Sequence, residues 1–222
     1  MNNKKFFTII AAVIVLAVGG AALYYGLRGD TTAPNSSDMS GMNHSMNNSD
    51  SLVDTSSTTY KQYAALTGEE YDRNFIANMI VHHEGAVSMA ELALANAKHQ
   101  EFKDMANDII SAQNEEISQM KSWQQAWGYP SSSGDNMMDH SAMGMMSEMS
   151  GMEDALKGKT GDEFDKAFIE QMVMHHQSAI DMAGPGEENA EHEELGDLTK
   201  AIVVAQTKEI KQMKQWQSDW GY

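Results

Sequence analysis

An internal repeat is the feature that most constrains the fold of this 222-residue chain. Displacing the sequence by 93 residues superposes residues 67–129 on residues 160–222 without a gap. Matching segments include Phe75-Ile76 with Phe168-Ile169, His82-His83 with His175-His176, and Trp127-Gly128-Tyr129 with Trp220-Gly221-Tyr222. Any fold of this chain must therefore accommodate two copies of the same unit.

Each repeat is predicted to form a helical hairpin, because its apolar residues follow the helical period rather than the alternation of a strand. The first helix should end near residue 96 in repeat one. In repeat two it should end near Ala183, since Gly184-Pro185-Gly186 interrupts a helix. The second helix is expected over about residues 101–127 and 194–220.

The hairpin ends carry helix-terminating and helix-starting signals. Thr67-x-x-Glu70 and Thr160-x-x-Glu163 fit capping boxes at the helix starts, and Gly128 and Gly221 lie where left-handed C-terminal caps are expected. A single hairpin cannot bury its apolar stripe alone. The sequence therefore predicts an all-α fold, a four-helix bundle made of two repeated hairpins.

The remaining segments are predicted to be an N-terminal apolar helix and two disordered linkers. Residues 1–28 contain an uncharged run that is long enough to span a bilayer and is preceded by Lys4 and Lys5. We expect an exported protein, either anchored by this segment and facing the periplasm or cell exterior, or released after cleavage. Residues 29–66 and 130–159 are rich in polar residues and are interpreted as a tether and a flexible linker.

The composition excludes several classes of function. There is no cysteine, which removes thiolate catalysis, disulfides and cysteine-based metal sites. The formal net charge of −17 argues against a nucleic-acid partner, since phosphate binding needs clustered cations. The 19 methionines stand out because many of them interrupt polar sequence, where they have nothing to pack against.

The paired histidines occupy different positions on the predicted first helix. At about 100° per residue, His83 falls near the centre of the apolar face, one turn after Met79. His82 falls at the edge of that face, close in angle to Met89. Repeat two places His176 with Met172 and His175 with Met182 in the same way.

The second helix of each hairpin supplies polar residues to the interior. Gln113 lies on the inward face, with Glu116 toward one edge, and a buried carboxylate is costly without a partner. A contact of both with His83 would satisfy all three side chains, and Gln206, Glu209 and His176 repeat the set. A purely structural role for this inner pair remains open. For His99 and His192, near the hairpin turns, capping is expected.

The linkers indicate the kind of metal. Thioethers and imidazoles are the ligands that suit Cu(I) and also Ag(I). The linker residues predicted to capture ions are Met42, His44, Met46, Met138, His140, Met143, Met145 and Met146. The predicted ligands in the repeats are Met79, His82, His83, Met89, Glu116 and Met120, with Met172, His175, His176, Met182, Glu209 and Met213. We expect copper, preferably Cu(I), with Cu(II) or Ag(I) as alternatives.

The motif Met79-x-x-His82-His83-x-x-Ala86-x-x-Met89-Ala90, followed by Gln113-x-x-Glu116-Ile117-x-x-Met120-x-x-Trp123, resembles domain-of-unknown-function family 305. That family includes CopM-like periplasmic copper-binding proteins. The resemblance covers roughly residues 67–222. It implies a ferritin-like helical bundle and a role in copper binding or resistance outside the cytoplasm.

Three functions remain open at this point. The leading one is a non-catalytic protein that sequesters copper or hands it to other envelope copper-handling proteins. The second is a ferritin-like di-metal oxidase, although the repeats lack the Glu-x-x-His pairs that such sites use. The third is an envelope interaction module whose histidines are structural. The sequence also leaves homo-oligomer formation open.

Overall fold

The computed structural model describes residues 51–130 and 140–222, with side chains described from residue 144 onward in the second range. The helices in chain order are α1 (Thr58–Ala64), α2 (Glu69–Asn96), α3 (Gln100–Trp127), α4 (His140–Leu156), α5 (Gly161–Ala183), α6 (Gly186–Asn189) and α7 (Glu193–Asp219). Within those ranges there is no strand, only two isolated bridges. The predicted all-α fold is confirmed.

The two repeats form the two predicted hairpins. Helix α2 packs against α3, and α5 packs against α7, while α2 and α5 contact each other between the hairpins. Helix α5 ends at Ala183, as the Gly-Pro-Gly segment predicts, and the short α6 follows it. Helix α3 ends at Gly128, whose φ of 73° is the left-handed conformation expected of a C-terminal cap.

The predicted capping boxes do not form. Helix α2 begins after Gly68 rather than Thr67, and the Thr160 side chain makes no capping hydrogen bond. Instead, acidic residues in the first turns of α2 and α5 interact favourably with the positive end of each helix dipole.

The apolar core consists of two clusters. One contains Phe102, Phe164 and Phe168, and the other contains Tyr71 and Phe75. Along α2, the residues before the histidine pair belong to the second cluster and those after it to the first. The Tyr71 hydroxyl near the start of α2 donates to the Met182 carbonyl near the end of α5, at 3.1 Å. Helices α2 and α5 therefore run in opposite directions, and both histidine pairs lie between the clusters.

Two parts of the predicted linkers are folded, which corrects the expectation of disorder there. Helix α1 lies within the predicted tether 29–66 and packs against α5, because Leu52, Val53 and Tyr63 interrupt the polar sequence with apolar side chains. Helix α4 lies within the predicted linker 130–159 and packs against α2 and α5. Its buried stripe of Met149, Met152 and Leu156 has the helical period.

Several predictions concern residues outside the described ranges. These are the apolar segment 1–28, the tether residues Met42, His44 and Met46, and the linker residue Met138. The side chains of His140 and Met143 also lie outside the described set. Across residues 51–130 and 140–222, no helix combines the length and the apolar character needed to cross a membrane.

Candidate metal centre

Two histidines meet at the contact between the hairpins. The rings of His82 on α2 and His175 on α5 have centroids 3.7 Å apart, and both side chains are fully buried. The expectation that His82 lies at the edge of the apolar face is therefore wrong. Helix α2 is covered by α3, α4 and α5, so more than one of its faces is buried.

These two central imidazoles are held neutral. Burial lowers the pKa of His82 well below its usual range, and the nearby imidazole of His175 lowers that pKa further. Burial likewise lowers the pKa of His175. The hydrogen bond that its Nε2–H donates to the His82 carbonyl oxygen, at 2.9 Å, raises that pKa but does not outweigh burial. A neutral imidazole keeps a lone pair on one ring nitrogen, which is the form that binds metals.

The second histidine of each pair, His83 or His176, contacts a carboxylate, as the sequence predicts. Nε2 of His83 lies 2.6 Å from the Glu116 carboxylate, and Nε2 of His176 lies 2.6 Å from Glu209. Both imidazoles are fully buried, whereas the Glu116 side chain is 21% exposed. When the Nε2–H donates to the carboxylate, Nδ1 is left as the acceptor nitrogen.

The four histidines of the two His-His pairs have buried ring nitrogens without a hydrogen-bond partner. Both nitrogens of His82 lack a partner, as does Nδ1 of His83, His175 and His176. The amide oxygens of Gln113 and Gln206 also lack one, so these oxygens do not join the predicted His–Glu–Gln contacts. Unpaired buried polar groups are rare and costly in folded proteins, and a bound ion is one of the explanations for them.

Methionine is the other predicted ligand type that the core contains. Six predicted methionine ligands are buried in the two core clusters: Met79, Met89, Met120, Met172, Met182 and Met213. Met145 on α4 is half-buried and packs against both clusters, while Met146 is 51% exposed. Within the described part of the chain, no three His, Asp or Glu side chains are grouped so that they could hold a metal ion.

His99 and His192 join the hairpins to each other. His99 and His192 occupy the N-cap positions of α3 and α7, but their side chains make no capping bond. Nδ1 of His99 instead lies 2.6 Å from Asp165 on α5, and Nδ1 of His192 lies 2.7 Å from Asp72 on α2. The capping expectation is thus wrong for the side chains, whose partners belong to the other repeat.

We call the contact of His99 with Asp165 and that of His192 with Asp72 the two joints between the hairpins. Each joint also contains aromatic residues. The Trp220 ring stacks on His99 with centroids 3.8 Å apart, and the Trp127 ring stacks on His192 at 3.7 Å. Burial, together with the charge of Asp72, raises the pKa of the neighbouring Tyr129 to about 12. Sequence reasoning missed these joints, although the repeat places each Asp, His and Trp at matching positions.

The comparisons with known proteins assign the family. The Domain of unknown function (DUF305) family matches residues 24–118 and 72–217. The chain belongs to this family. No curated protein matches the chain significantly.

Solved structures of the same family are similar to this chain. CopM in its Cu(I)-bound form is 39% identical, with a TM-score of 0.55, and the match covers 67% of this chain and 96% of CopM. CopM has also been solved in Cu(II)-bound and Ag-bound forms. A DUF305 protein from Streptomyces coelicolor is 25% identical, with a TM-score of 0.57, over 68% of this chain and 92% of its own. A DUF305 fragment from Deinococcus radiodurans is 26% identical, with a TM-score of 0.54, over 67% and 95%.

Proposed function

We propose that this protein binds copper, preferably as Cu(I), at the buried histidine and methionine side chains between its two hairpins. The observation that carries the proposal is the set of unpartnered nitrogens on His82, His83, His175 and His176. A buried nitrogen without a partner costs stability. A metal ion would use the same lone pairs as ligands and would offset that cost.

The chemistry of the surroundings favours a soft monovalent ion. Neutral imidazoles and thioethers are ligands for Cu(I) and Ag(I), whereas Ca²⁺, Mg²⁺ and Mn²⁺ prefer carboxylate and carbonyl oxygens. The fully buried histidines offer no negative charge to neutralise a divalent ion. The likeness to CopM, which has been solved with Cu(I), Cu(II) and Ag, supports copper or silver as the ion.

Glu116 and Glu209 would orient two of the ligands. A histidine that binds a metal usually donates its other N–H to a carboxylate, which fixes the ring and raises the basicity of the ligating nitrogen. The contacts of His83 and His176 with these carboxylates have this form and leave Nδ1 for the metal. In this proposal the predicted glutamates support the ligands rather than bind copper themselves.

We propose a role in sequestering copper or handing it to other proteins outside the cytoplasm, without catalytic turnover. The charged and apolar pattern of residues 1–28 supports export. A di-metal oxidase site would use a cluster of carboxylates and histidines, and the described residues hold no such cluster. No observation on the described residues favours that second function.

The test is a Cu(I) titration of the full-length chain, purified without a histidine tag, under reducing conditions against a chromophoric Cu(I) chelator. We expect tight binding by the wild type and loss of at least one bound ion in the double variant His82→Leu/His175→Leu. The matched control is His99→Gln/His192→Gln, which removes two histidines outside the core and should keep the wild-type stoichiometry. Unchanged stoichiometry and affinity in the core variant would refute the proposal.

A further inference from the structure

Helix α4 places a methionine directly against a glycine of α2. A Cβ atom added at Gly85 would lie 2.9 Å from both Cγ and Sδ of Met149. Real Cβ atoms essentially never approach a heavy atom so closely. The Met149 thioether therefore occupies space that exists only because residue 85 has no side chain.

Position 85 lies between two of the predicted ligands on α2. Residues three and four apart on a helix are neighbours, with Cβ atoms about 5–6 Å apart. Gly85 is three residues after His82 and four residues before Met89. The Met149 sulfur thus lies over the turn that carries these two side chains. His82 is fully buried, and neither of its ring nitrogens has a partner.

Among the described residues, the second repeat has no thioether equivalent to that of Met149. The residue that matches Gly85 is Ser178, so the glycine is not repeated. The corresponding side of α5 is covered by residues 51–64, which contain no methionine. There Gln177 donates to the Leu52 carbonyl, and Val53 packs close to Gly184. The two halves of the molecule therefore differ in the ligands that they can offer.

We propose that Met149 is a third ligand, which α4 contributes to a Cu(I) or Ag(I) site shared with His82 and Met89. This inference rests on the proposed copper binding and adds a residue and an element to it. One neutral imidazole and two thioethers form a three-coordinate set suited to a soft monovalent ion. The first repeat then holds a site that the second repeat does not duplicate.

Other methionines of α4 connect this site with the surface. Met146 is half-exposed and Met145 is half-buried, three and four residues before Met149 on the same helix. An ion captured at Met146 would pass thioethers within one turn of α4 before it reaches the buried site. Burial of Met149 and binding of the ion are coupled in this arrangement, since both require α4 to lie on α2.

The test compares the Cu(I) affinity of the full-length wild type with that of Met149→Leu, in competition with a chromophoric chelator. Leucine keeps the apolar volume and removes the sulfur. We expect the highest-affinity site to weaken by about tenfold or more, since even supporting residues around a metal change its affinity by 10–100-fold. Met152→Leu on the same buried stripe is the matched control and should stay within about twofold of the wild type.

A second variant tests the geometry without touching a ligand. Gly85→Ala places a Cβ where the Met149 sulfur lies, so it should displace that sulfur and weaken the same site. Circular dichroism checks that each variant keeps its helical content. X-ray absorption of the Cu(I)-loaded proteins should show one sulfur neighbour fewer in Met149→Leu than in the wild type.

The outcomes separate this inference from the proposed function. Wild-type affinity and sulfur count in Met149→Leu overturn the role of Met149 while leaving copper binding intact. Equal weakening in Met149→Leu and Met152→Leu also overturns it, because the effect would then reflect α4 packing rather than a ligand. A wild type that binds no copper refutes the proposed function, and this inference with it.

Discussion

The central histidines cost the metal-free protein stability. His82 is fully buried and neither ring nitrogen forms a hydrogen bond. Leaving a buried polar group unsatisfied costs about 1–3 kcal/mol. An apolar residue of similar size would avoid that cost, so the structure alone does not account for a histidine at this position. Residues that reduce stability in this way are expected at functional sites.

His82→Leu should therefore stabilise the metal-free protein. We expect its free energy of unfolding, measured by urea denaturation near neutral pH, to rise by about 1–2 kcal/mol. Addition of Cu(I) should stabilise the wild type much more than the variant, because a ligand adds stability in proportion to its binding to the folded state. His83→Leu is the control and should not gain stability, since it removes the partner of Glu116. A clear loss of stability in His82→Leu would contradict this account.

The metal-free protein should also become less stable as the pH is lowered, because of His82 and His175. Burial lowers the pKa of both imidazoles in the folded chain. In the unfolded chain each takes up a proton below about pH 6.5, so the unfolded state then binds more protons and gains relative stability. Each imidazole should remove about 1.4 kcal/mol of unfolding free energy between about pH 7.5 and pH 5.5.

The double variant His82→Leu/His175→Leu isolates the effect of the two central imidazoles from that of the rest of the protein. Its unfolding free energy, measured by urea denaturation at the same two pH values, should fall by less than that of the wild type. Equal losses in both proteins would show that the central imidazoles become protonated without unfolding.

Side-chain contacts within one hairpin could be predicted from the sequence, whereas contacts between the two hairpins could not. The pairing of His83 with Glu116 followed from two helix faces within one repeat. The burial of His82 depends on α4 and α5, whose placement the helical period of α2 does not contain. A single amphipathic stripe predicts one buried face, and α2 has several.

The joints between hairpins are the feature to test at the scale of elements. Asp165 at the start of α5 accepts hydrogen bonds from the backbone N–H of Lys98 and of His99, at 3.0 and 3.3 Å, and contacts the His99 ring. Asp72 repeats this arrangement with Glu191 and His192. Each joint fixes the turn of one hairpin against the first helix of the other.

Asp165→Asn should weaken one joint and lower the free energy of unfolding by about 2–3 kcal/mol, because it removes a buried charged acceptor of several hydrogen bonds. Thermal denaturation followed by circular dichroism measures the loss. Asp154→Asn is the control, since this exposed carboxylate pairs with Lys157 at the surface of α4 and should matter little. A loss in Asp154→Asn as large as that in Asp165→Asn would contradict the assignment.

The long helices could be predicted closely, and the short or methionine-rich ones could not. Glycine and proline mark the ends of α3 and α5, and these signals act locally. Helix α4 escaped prediction because Ser and Gly interrupt its sequence, and its stability comes from methionines that pack on α2. Helix α1 is stabilised in the same way, by apolar residues that contact α5. Tertiary packing, rather than local propensity, decides both.

For the whole molecule, the duplication of the hairpin accounts for the position of the candidate metal centre. Two copies of one hairpin that pack through their first helices bring matching residues face to face, and His82 and His175 are such a pair. The sequence identified the repeat but not the surface through which the copies meet. The segments that pack on the two first helices, α4 on α2 and residues 51–64 on α5, break the symmetry.

X-ray absorption at the copper edge of the full-length chain loaded with one equivalent of Cu(I) tests the central claim most directly. A metal held between the hairpins should show nitrogen and sulfur neighbours together, from imidazole and thioether ligands. His82→Leu/His175→Leu should show fewer nitrogen neighbours than the wild type. Copper with only oxygen neighbours, or with sulfur neighbours alone in the wild type, would contradict a site built on the central histidines.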